Sequence, residues 1–277
     1  MLSNKYRTIK KALTGVSKVD YLHRKLVLLS KMYLDIDRGY RFSYMSDENG
    51  EAQLLDTLAK HYDKGHFVFF DVGAHVGTYT DLVVERFEDY EGHLFDLSQT
   101  TLDFCIQRHG DNTNLHINNA ALSDEVGDVE YRFYPKIQMQ NGISGVGPYT
   151  GFDFELRTAP CLTGDVYCTD HHIKHIDLLK IDVEGYDLHV IKGFDEIISH
   201  ANVDVIQFEY NIKSGETHCM LKDFYDFLEP RGYILGPLRQ TGVEFRNFNF
   251  LHNDFESGPN YVACRPEFVD ILSAFRE

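Results

Sequence analysis

Two stretches of the sequence combine glycines with acidic side chains in a way that suits ligand binding or catalysis. The first is DVGAHVGTYT, residues 71–80, and the second is LLKIDVEGYDLHVIKGF, residues 178–194. Each contains or follows an apolar run typical of a buried parallel strand and leads into a pattern typical of a helix. Because ligands bind beyond the carboxyl ends of parallel strands, both stretches predict a site at that edge of a sheet.

The glycines of the first stretch predict a tight turn against which a cofactor can lie. Gly73 and Gly77 would let the backbone approach a ligand closely. Their spacing matches neither the G-x-G-x-x-G of dinucleotide-binding enzymes nor a P-loop, so a ribose-bearing ligand with little negative charge is favoured over a diphosphate. We therefore predict that Asp71 and the two glycines bind a cofactor, with a purely structural turn as the alternative.

A second acid, Asp96, ends the next predicted strand, 25 residues after Asp71. A carboxylate at that position can accept hydrogen bonds from both hydroxyls of an adenosine ribose. The alternative is that Asp96 caps the helix that follows. Asn119, Ala120 and Ala121 follow the third predicted strand and are small enough for an adenine to lie against them.

The second stretch places two carboxylates and a lysine at the end of one predicted strand. Charged groups in such a place are costly unless they are paired, solvated or used, so Lys180, Asp182 and Glu184 indicate a site. Glu209 ends the neighbouring strand. Together these acids would form an acidic rim at the functional edge of the sheet. The oxygens of Asp182, Glu209 and Asn211 also suit Mg²⁺, an alternative that we do not favour over a hydrogen-bonded acidic cluster.

The composition is that of a folded globular chain. Of the 277 residues, 43% are hydrophobic and 25% charged, which excludes disorder, collagen and coiled coil as the main state. The five cysteines include no Cys-x-x-Cys pair, so we predict neither a disulfide framework nor a thiolate zinc site, and assign no metal ligands. We find neither a membrane-spanning segment nor a secretory signal and expect a soluble, cytoplasmic protein.

The charge is unevenly distributed along the chain. Residues 1–31 carry a net charge of +7 and the remainder −23, for a total of −16. An acidic body repels a phosphate backbone, so we do not expect nucleic acid as the substrate. Apolar residues at spacings of three and four predict amphipathic helices in the basic segment. These helices would form a cap on the domain or, as the alternative, contact a membrane surface or a protein partner.

The predicted elements alternate as in an α/β fold. Helices are predicted at 51–63, 78–89, 99–109, 187–199 and 216–229. Strands are predicted at 66–73, 93–97, 115–122, 176–182, 204–210, 232–236 and 260–266, the last two as an antiparallel pair that closes the sheet edge. Residues 123–170 interrupt the alternation and predict a hairpin with a long loop over the active edge.

Five segments resemble, in this order and at matching intervals, the FkbM-type methyltransferases, a branch of the class I S-adenosylmethionine-dependent enzymes. The segments are DVGAHVGTYT, FDL, NAALSDEVGDVEY, KIDVEGYDLHVIKG and VIQFEYN. The resemblance covers about residues 51–265, and KIDVEG is its most distinctive part. His75 stands where the family usually has Asn, and Asp96-Leu97 stands where Glu-Pro is common. His75 would then contact the methionine carboxylate or, as the alternative, face solvent.

The resemblance implies a Rossmann-like α/β fold whose seven-stranded, mostly parallel sheet has helices on both faces. Residues 51–277 would form the methyltransferase domain and residues 1–50 an N-terminal helical extension. The implied cofactor is S-adenosylmethionine, and the implied reaction is O-methylation of a hydroxyl on a sugar, a glycan or a glycosylated natural product. For that reaction we predict that Asp182 orients the cofactor and the acceptor, and that Glu184 and Glu209 are the candidate bases. The residues matched to cofactor binding are Asp71, Gly73, Ala74, His75, Gly77, Thr78, Asp96, Leu97, Ala120 and Asp182.

Two other functions stay open at this point. The chain could methylate another small metabolite, or a lipid at a membrane surface through its basic segment. It could also be a catalytically inactive, cofactor-binding partner protein.

Overall fold

The structure, a computed structural model, describes residues 25–30, 33, 45–63, 65–135, 142–143, 153–250 and 260–274. The chain divides into two compact units, Met1–Phe42 and Ser43–Glu277. In the first unit, residues 25–30 are helical. Most of the predicted basic helical segment lies outside the described residues, so its contact with a membrane or a partner stays a prediction. Within the described residues, no helix is both long enough and apolar enough to cross a membrane.

The second unit is built on β-strands that lie in two sheets. In chain order the strands are β1 (Phe67–Val72), β2 (Tyr90–Phe95), β3 (Leu115–Asn118), β4 (Ala121–Leu122), β5 (Gly127–Phe133), β6 (Glu155–Leu162), β7 (Ile176–Ile181), β8 (Val203–Glu209), β9 (Ile234–Arg239), β10 (Gly242–Val243) and β11 (Asn260–Cys264). The larger sheet of the described residues has eight strands in the order β10-β9-β11-β8-β7-β1-β2-β3.

The centre of the larger sheet is parallel. Strand β1 pairs in parallel with β2 on one side and β7 on the other, and the parallel pairing continues to β3 and β8. Strand β11 is antiparallel to both β8 and β9. From β1 the chain continues outward on one side to β2 and β3, and it later continues outward on the other side from β7 to β8. The strand order therefore reverses between β1 and β7. This is the switch point beside which α/β folds bind their ligands.

Helices cover both faces of this sheet. They are α1 (Ser46–Asn49), α2 (Glu51–Tyr62), α3 (Thr78–Val84), α4 (Gln99–His109), α5 (Gly164–Asp170), α6 (Asp187–Gly193), α7 (Asp195–Ser199), α8 (Leu221–Leu228) and α9 (Val269–Leu272). Short 3-10 helices span Ile212–Gly215, Glu229–Arg231 and Pro266–Phe268.

Alternating side chains of β1 divide the core into two layers. Phe67 and Phe69 pack in one cluster with residues of α2, α3, α4 and α9. Phe70 and Val72 pack in the other with residues of α5, α6, α7 and α8. Since successive side chains of a strand point to opposite faces, the nearly continuous apolar run of β1 is explained by burial on both sides.

The predicted fold class is confirmed, with corrections in detail. The sheet has eight strands because a two-residue strand, β10, extends the predicted seven beyond β9. The strand predicted at 115–122 is divided: β3 completes the larger sheet, whereas β4 pairs with β6 in a second sheet of order β4-β6-β5. The hydrophobic pattern does not reveal this division, since both β3 and β4 contain apolar residues.

Two further differences concern helices. The helix predicted at 187–199 is two helices, α6 and α7, separated at Phe194. Helix α5 was predicted as part of the loop region; it begins after Thr163, whose side chain accepts a hydrogen bond from the backbone N–H of Val166 at 3.2 Å. The sequence did contain a signal for this start, because threonine is one of the residues preferred at the N-cap of a helix.

Candidate functional site

A buried ion pair joins the two central strands at the switch point. Asp71 of β1 stands opposite Lys180 of β7 in the register. Asp71 Oδ1 lies 2.9 Å from Lys180 Nζ, and Asp71 Oδ2 accepts a hydrogen bond from the Thr80 hydroxyl at 2.8 Å. The Asp71 side chain is fully buried. Both of its oxygens therefore serve the protein itself, and they hold the turn after β1 to the neighbouring strand and to α3.

Lys180 also contacts the loop that follows β1. Its Nζ also donates to the carbonyl of Gly73 at 3.3 Å and lies 4.0 Å from Asp182 Oδ2. Burial alone would lower the pKa of Lys180, but the charges of Asp71 and Asp182 outweigh burial and raise it. Lys180 thus stays a cation and positions both strand ends.

The first glycine of the turn is required by its own surroundings. Gly73 has a φ of +82°, and a Cβ there would lie 1.9 Å from the carbonyl oxygen of Asp182. No side chain fits between the ends of β1 and β7. The backbone N–H groups of Gly73 and Ala74 both donate to the carbonyl of Phe95 at 2.9 Å, which joins the turn to β2 as well.

The second glycine begins helix α3. Gly77 precedes α3 with a φ of +83°, and a Cβ there would come within 2.9 Å of the His109 ring and 3.0 Å of Cys105 Sγ. This glycine therefore lets α3 approach α4. Of the other residues matched to cofactor binding, Thr78 is exposed at the start of α3, and Ala74 is buried.

Asp96 lies beside this turn and is already well hydrogen-bonded. Its Oδ1 accepts from the Ser98 N–H at 2.8 Å and from the Thr101 hydroxyl at 2.9 Å, and its Oδ2 accepts from the His75 N–H at 2.9 Å. Burial raises the pKa of Asp96. The carboxylate thus holds the segment that leads into α4, while the N-cap residue of that helix is Ser98, which makes no side-chain cap hydrogen bond. Since a carboxylate offers about four acceptor sites, roughly one remains for a ligand.

His75 has an unusual position in the turn. It is a non-glycine residue with a φ of +51°. Its Nε2 is buried and has no hydrogen-bond partner among the described residues. Burial lowers the pKa of His75. The imidazole is therefore neutral. Its Nε2 is buried, which disagrees with the alternative in which His75 faces solvent.

The remaining residues matched to cofactor binding lie near the same edge. Leu97 is half-buried against a small cluster of Tyr131, Phe133 and Ala159. Ala120 is buried in the core cluster that contains Phe95. The side-chain amide of Asn119 donates to the Asp96 carbonyl at 3.0 Å. The structure thus brings the ends of β1, β2 and β3 together as predicted, although these contacts alone do not assign a ligand.

The acidic residues of the second stretch meet at the end of β7. Asp182 has an exposed side chain, with 49% of its surface accessible. Glu184 has a φ of +59° and forms a 2.8 Å ion pair with Lys213. Burial and the charge of Asp182 raise the pKa of Glu184. Asp182 is therefore the acid most open to a ligand, whereas Glu184 is held by a cation.

Glu209, at the end of β8, completes the cluster. Its Oε2 accepts from the Asn211 side-chain amide at 2.6 Å. Burial, together with the charges of Asp182 and Glu184, raises the pKa of Glu209 well above its usual range. A carboxylate with a raised pKa is a stronger base than an ordinary one. The three predicted catalytic acids are thus adjacent.

Two buried acids support this cluster and were not identified from the sequence. Asp187 accepts from the backbone N–H groups of Gly185 (3.2 Å) and Glu209 (3.1 Å), and burial raises its pKa to about 8. Glu51 accepts from the side-chain amides of Gln207 at 2.9 Å and Asn260 at 3.1 Å. Asp187 belongs to the second stretch, but its contact with Glu209 depends on β8. Glu51 lies on α2, outside both stretches, and only the tertiary fold brings it to its partners on β8 and β11.

The irregular middle of the chain reaches this edge. A Cβ at Gly142 would lie 3.5 Å from Glu184 Cβ, so the two residues are in contact. The Arg132 N–H of β5 donates to the Gly142 carbonyl at 3.2 Å, and the Arg132 guanidinium lies 4.4 Å from the centroid of the Phe154 ring. Phe154 is 43% exposed. An exposed aromatic ring with a guanidinium against it therefore lies where the irregular segment leaves β5 and joins β6, and Gly142 of that segment lies against Glu184.

Comparisons with known proteins point to one family. The family model described as the methyltransferase FkbM domain matches residues 71–235, a segment that includes both glycine-containing motifs. None of the curated proteins compared with the chain matches it.

The search of solved structures found similarity to several methyltransferases. The precorrin-6y C5,15-methyltransferase of Geobacter metallireducens is 14% identical with a TM-score of 0.41, over 78% of this chain and 88% of that one. The N-methyltransferase NodS of Bradyrhizobium japonicum, in complex with S-adenosyl-L-homocysteine, is 10% identical with a TM-score of 0.41, over 84% and 98%. An rRNA methylase of Streptococcus thermophilus is 12% identical with a TM-score of 0.40, over 77% and 93%. Likeness at this level does not bear on the substrate.

Proposed function

The chain belongs to the FkbM methyltransferase family, whose cofactor is S-adenosylmethionine, and from that premise we propose that it methylates a hydroxyl of a sugar or of a glycan-bearing acceptor. The family match covers more than half of the chain and includes the ends of β1, β2 and β7. The transfer of a methyl group follows from the family. The acceptor and the roles of individual residues are the proposal.

The turn after β1 has features that fit S-adenosylmethionine. His75 Nε2 is a buried polar atom with no hydrogen-bond partner among the described residues, and a bound ligand would supply one. About one acceptor site of the Asp96 carboxylate stays open beside it, which suits a single ribose hydroxyl. Asp182 is the exposed carboxylate across the turn. We propose that His75, Asp96 and Asp182 hold the cofactor, while Asp71 and Gly73 act by positioning the turn.

The position of Glu209 is the observation that carries the proposed O-methylation. When bound, S-adenosylmethionine supplies an electrophilic methyl group. A neutral hydroxyl is a weak nucleophile, so an acceptor of this kind requires a base in place. Glu209 lies next to Asp182 and has a raised pKa because it is buried among other acids. In its ionised form Glu209 would accept the proton of the acceptor hydroxyl as that oxygen is methylated, and S-adenosylhomocysteine would be the leaving group.

Asp182 and Glu184 then have different roles. Asp182 is exposed and close to Lys180, so it orients the acceptor hydroxyl next to the turn. Glu184 is paired with Lys213 and lies against Gly142 of the irregular segment. We assign it to fixing that segment rather than to proton transfer. Holding the reacting oxygen in line contributes much of the acceleration of such a displacement.

The sugar as acceptor is supported by side chains at the base of the irregular segment, whose Gly142 lies against Glu184. The exposed ring of Phe154, with Arg132 against it, offers an aromatic face of the kind on which a pyranose can stack, and a guanidinium that can donate to its hydroxyls. The family resemblance independently implies a sugar or a glycosylated natural product. Nucleic acid is disfavoured because the described domain carries most of the negative charge.

The test measures the formation of S-adenosylhomocysteine from S-adenosylmethionine with a panel of mono- and oligosaccharides, other small hydroxyl compounds and lipid vesicles. We expect turnover with at least one saccharide, and a fall of about 100-fold or more in kcat for Glu209→Gln, with unchanged affinity for S-adenosylhomocysteine. The exposed Glu229→Gln is the matched control and should behave as wild type.

Three results would contradict the proposal. Turnover only with vesicles would favour the lipid alternative. Binding without turnover on any acceptor would favour an inactive partner protein. Full activity of Glu209→Gln would remove Glu209 as the base. A repeat in EDTA tests Mg²⁺, since a metal-dependent reaction would lose activity there.

A further inference from the structure

A second group of potential ligands lies away from the proposed site, in the amino-terminal half of β2. Glu91 and His93 are two residues apart on β2, so their side chains project from the same face of the sheet. His116 stands directly opposite His93 on the parallel strand β3. The three side chains thus form a triangle on one face near the edge of the sheet.

The distances within this triangle match those of a metal site. Glu91 Oε1 lies 3.4 Å from His93 Nε2 and 3.3 Å from His116 Nε2. The three ligand atoms lie within 4.8 Å of one another. Tetrahedral zinc with bonds of about 2.0–2.1 Å holds its ligand atoms about 3.3 Å apart. Two of the three spacings are therefore already at the value that a shared ion would set.

His93 supplies independent evidence that a ligand is expected here. The residue is 1% exposed, and its Nε2, which faces Glu91, has no hydrogen-bond partner among the described residues. Its Nδ1 lies 3.1 Å from the hydroxyl of Tyr167. A hydrogen bond at Nδ1 fixes the orientation of the ring and leaves Nε2 as the free ligand atom, the arrangement seen in metal-binding histidines.

The contact between His93 and Glu91 agrees with this role. The Nε2 atom of His93 lies 3.4 Å from a carboxylate oxygen, and the two atoms gain little from this contact unless a proton or a cation lies between them.

His116 and Glu91 give an ion access to this nitrogen. Their side chains are 46% and 40% exposed, respectively. The rings of His93 and His116 are stacked, with centroids 4.8 Å apart and an angle of 9° between their planes, so their Nε2 lone pairs do not yet converge. The exposed ring of His116 has room to turn toward Glu91, whereas His93 is fixed.

The other group of histidine and acids differs in a way that excludes it. His175 lies near Asp177 and Asp204, and hydrogen bonds to these two acids raise its pKa to about 10. Their carboxylates also accept from the Val68 N–H and the Tyr62 hydroxyl. A protonated imidazole has no lone pair to offer a metal. This group is a satisfied ion pair.

We propose that Glu91, His93 and His116 bind a divalent first-row transition metal ion such as Zn²⁺, with water in the fourth position. Two imidazoles and one carboxylate suit zinc and its neighbours in the series, and do not suit Mg²⁺ or Ca²⁺. The ion links the edge strand β3 to β2, the strand that leads to Asp96. This proposal does not depend on the acceptor or on methyl transfer.

Calorimetric titration of the full-length, EDTA-treated protein with ZnCl₂ tests the proposal. We expect one Zn²⁺ per chain, and a weakening of about 100-fold or more for His116→Ala, since even a change outside the ligand set commonly costs 10–100-fold. His175→Ala is the matched control: His175 is 45% exposed and belongs to the other group. It should bind Zn²⁺ as wild type does.

A second variant addresses the buried ligand. His93→Gln removes the fixed nitrogen, and its folding is checked by circular dichroism. Tyr167→Phe keeps all three ligands, removes only the hydroxyl at Nδ1, and should weaken binding about tenfold. A wild-type protein that binds no stoichiometric Zn²⁺, or a His116→Ala variant that binds as tightly as His175→Ala, would overturn the proposal.

Discussion

Removal of the buried cation at the switch point is the sharpest perturbation that the fold offers. In Lys180→Met the aliphatic stem is largely retained, while the charge that faces Asp71 is lost. Lys180 is 5% exposed and Asp71 is fully buried. The substitution therefore leaves the Asp71 carboxylate in a closed environment, with the Thr80 hydroxyl as its remaining partner at 2.8 Å.

The expected cost follows from this burial. Removal of one partner of a buried ion pair typically costs about 3–5 kcal/mol, because the other charge is left uncompensated. Lys180 also donates to the Gly73 carbonyl at 3.3 Å, so the turn after β1 should loosen as well. A domain of this kind has a total stability of about 5–15 kcal/mol, and the variant should lose a large part of it.

Urea unfolding at pH 7.5 measures this loss. The pKa of Lys180 is raised in the folded protein, so its stabilising contribution is fully present below the unfolded-state pKa of about 10.4 and is lost only as the pH rises through the folded-state value. The assay therefore records the whole effect. Lys222→Met is the control, since Lys222 pairs with Asp226 on the surface and is 42% exposed. It should cost about 0.5 kcal/mol or less.

A double-mutant cycle separates the ion pair from general packing. In Asp71→Asn/Lys180→Met the buried charge is absent on both sides, so the double variant should be more stable than Lys180→Met alone by about 2 kcal/mol or more. If Lys180→Met costs no more than Lys222→Met, or if the two single changes are additive, then the pair does not hold the turn and the reasoning fails.

Two further predictions concern the same edge of the sheet. Gly73→Ala should cost about 2 kcal/mol or more of stability and reduce the affinity for S-adenosylhomocysteine, because φ is +82° and the new Cβ would meet the Asp182 carbonyl. Urea unfolding and calorimetry measure the two effects, with Gly215→Ala as the control, because the space around Gly215 is open. Equal results for the two variants would show that the contact at Gly73 is unimportant. Burial raises the pKa of Asp187 to about 8, so the folded state holds a proton that the unfolded state releases near pH 4, and stability should fall as the pH rises from 4 to 8. Asp187→Asn should make that fall less steep, by up to about 1.4 kcal/mol per pH unit, and an unchanged slope in pH-dependent unfolding would contradict the assignment.

Much of this edge could be predicted from the sequence because its signals are local. An apolar run that ends in Asp71 and Gly73 predicts a buried strand followed by a tight turn, and the structure confirms both. The acids of the second stretch likewise follow their strand directly. In each case the residues that determine the backbone conformation are adjacent to those that could meet a ligand.

The parts that could not be predicted depend on distant partners. Asp71 was expected to face a cofactor, but Lys180, 109 residues away, occupies its carboxylate. Glu51 gave no signal because Gln207 and Asn260 lie on distant strands, and Asp187, although it lies inside the second stretch, owes its contact with Glu209 to the pairing of distant segments. The triangle of Glu91, His93 and His116 escaped notice for the same reason, since only the pairing of β2 with β3 places His116 opposite His93.

Asp96 shows a limit of a different kind. The sequence supported both ribose binding and helix capping. In the structure the carboxylate accepts from the N–H of Ser98, the N-cap residue of α4, and from the Thr101 hydroxyl. Because about one acceptor site remains, these contacts are compatible with one hydrogen bond to a ligand.

Calorimetric titration with S-adenosylhomocysteine tests the central claim most directly, using wild type, Asp96→Asn and the exposed control Asp103→Asn. Asp96→Asn keeps an oxygen for the cap and removes the charge. We predict one site per chain in wild type and the control, and affinity at least about tenfold weaker in Asp96→Asn, since a hydrogen bond to a charged group contributes about 1.5–3 kcal/mol. Equal affinity in all three proteins would contradict the assigned site, and no binding to any of them would contradict the proposed function while leaving the zinc proposal to its own test.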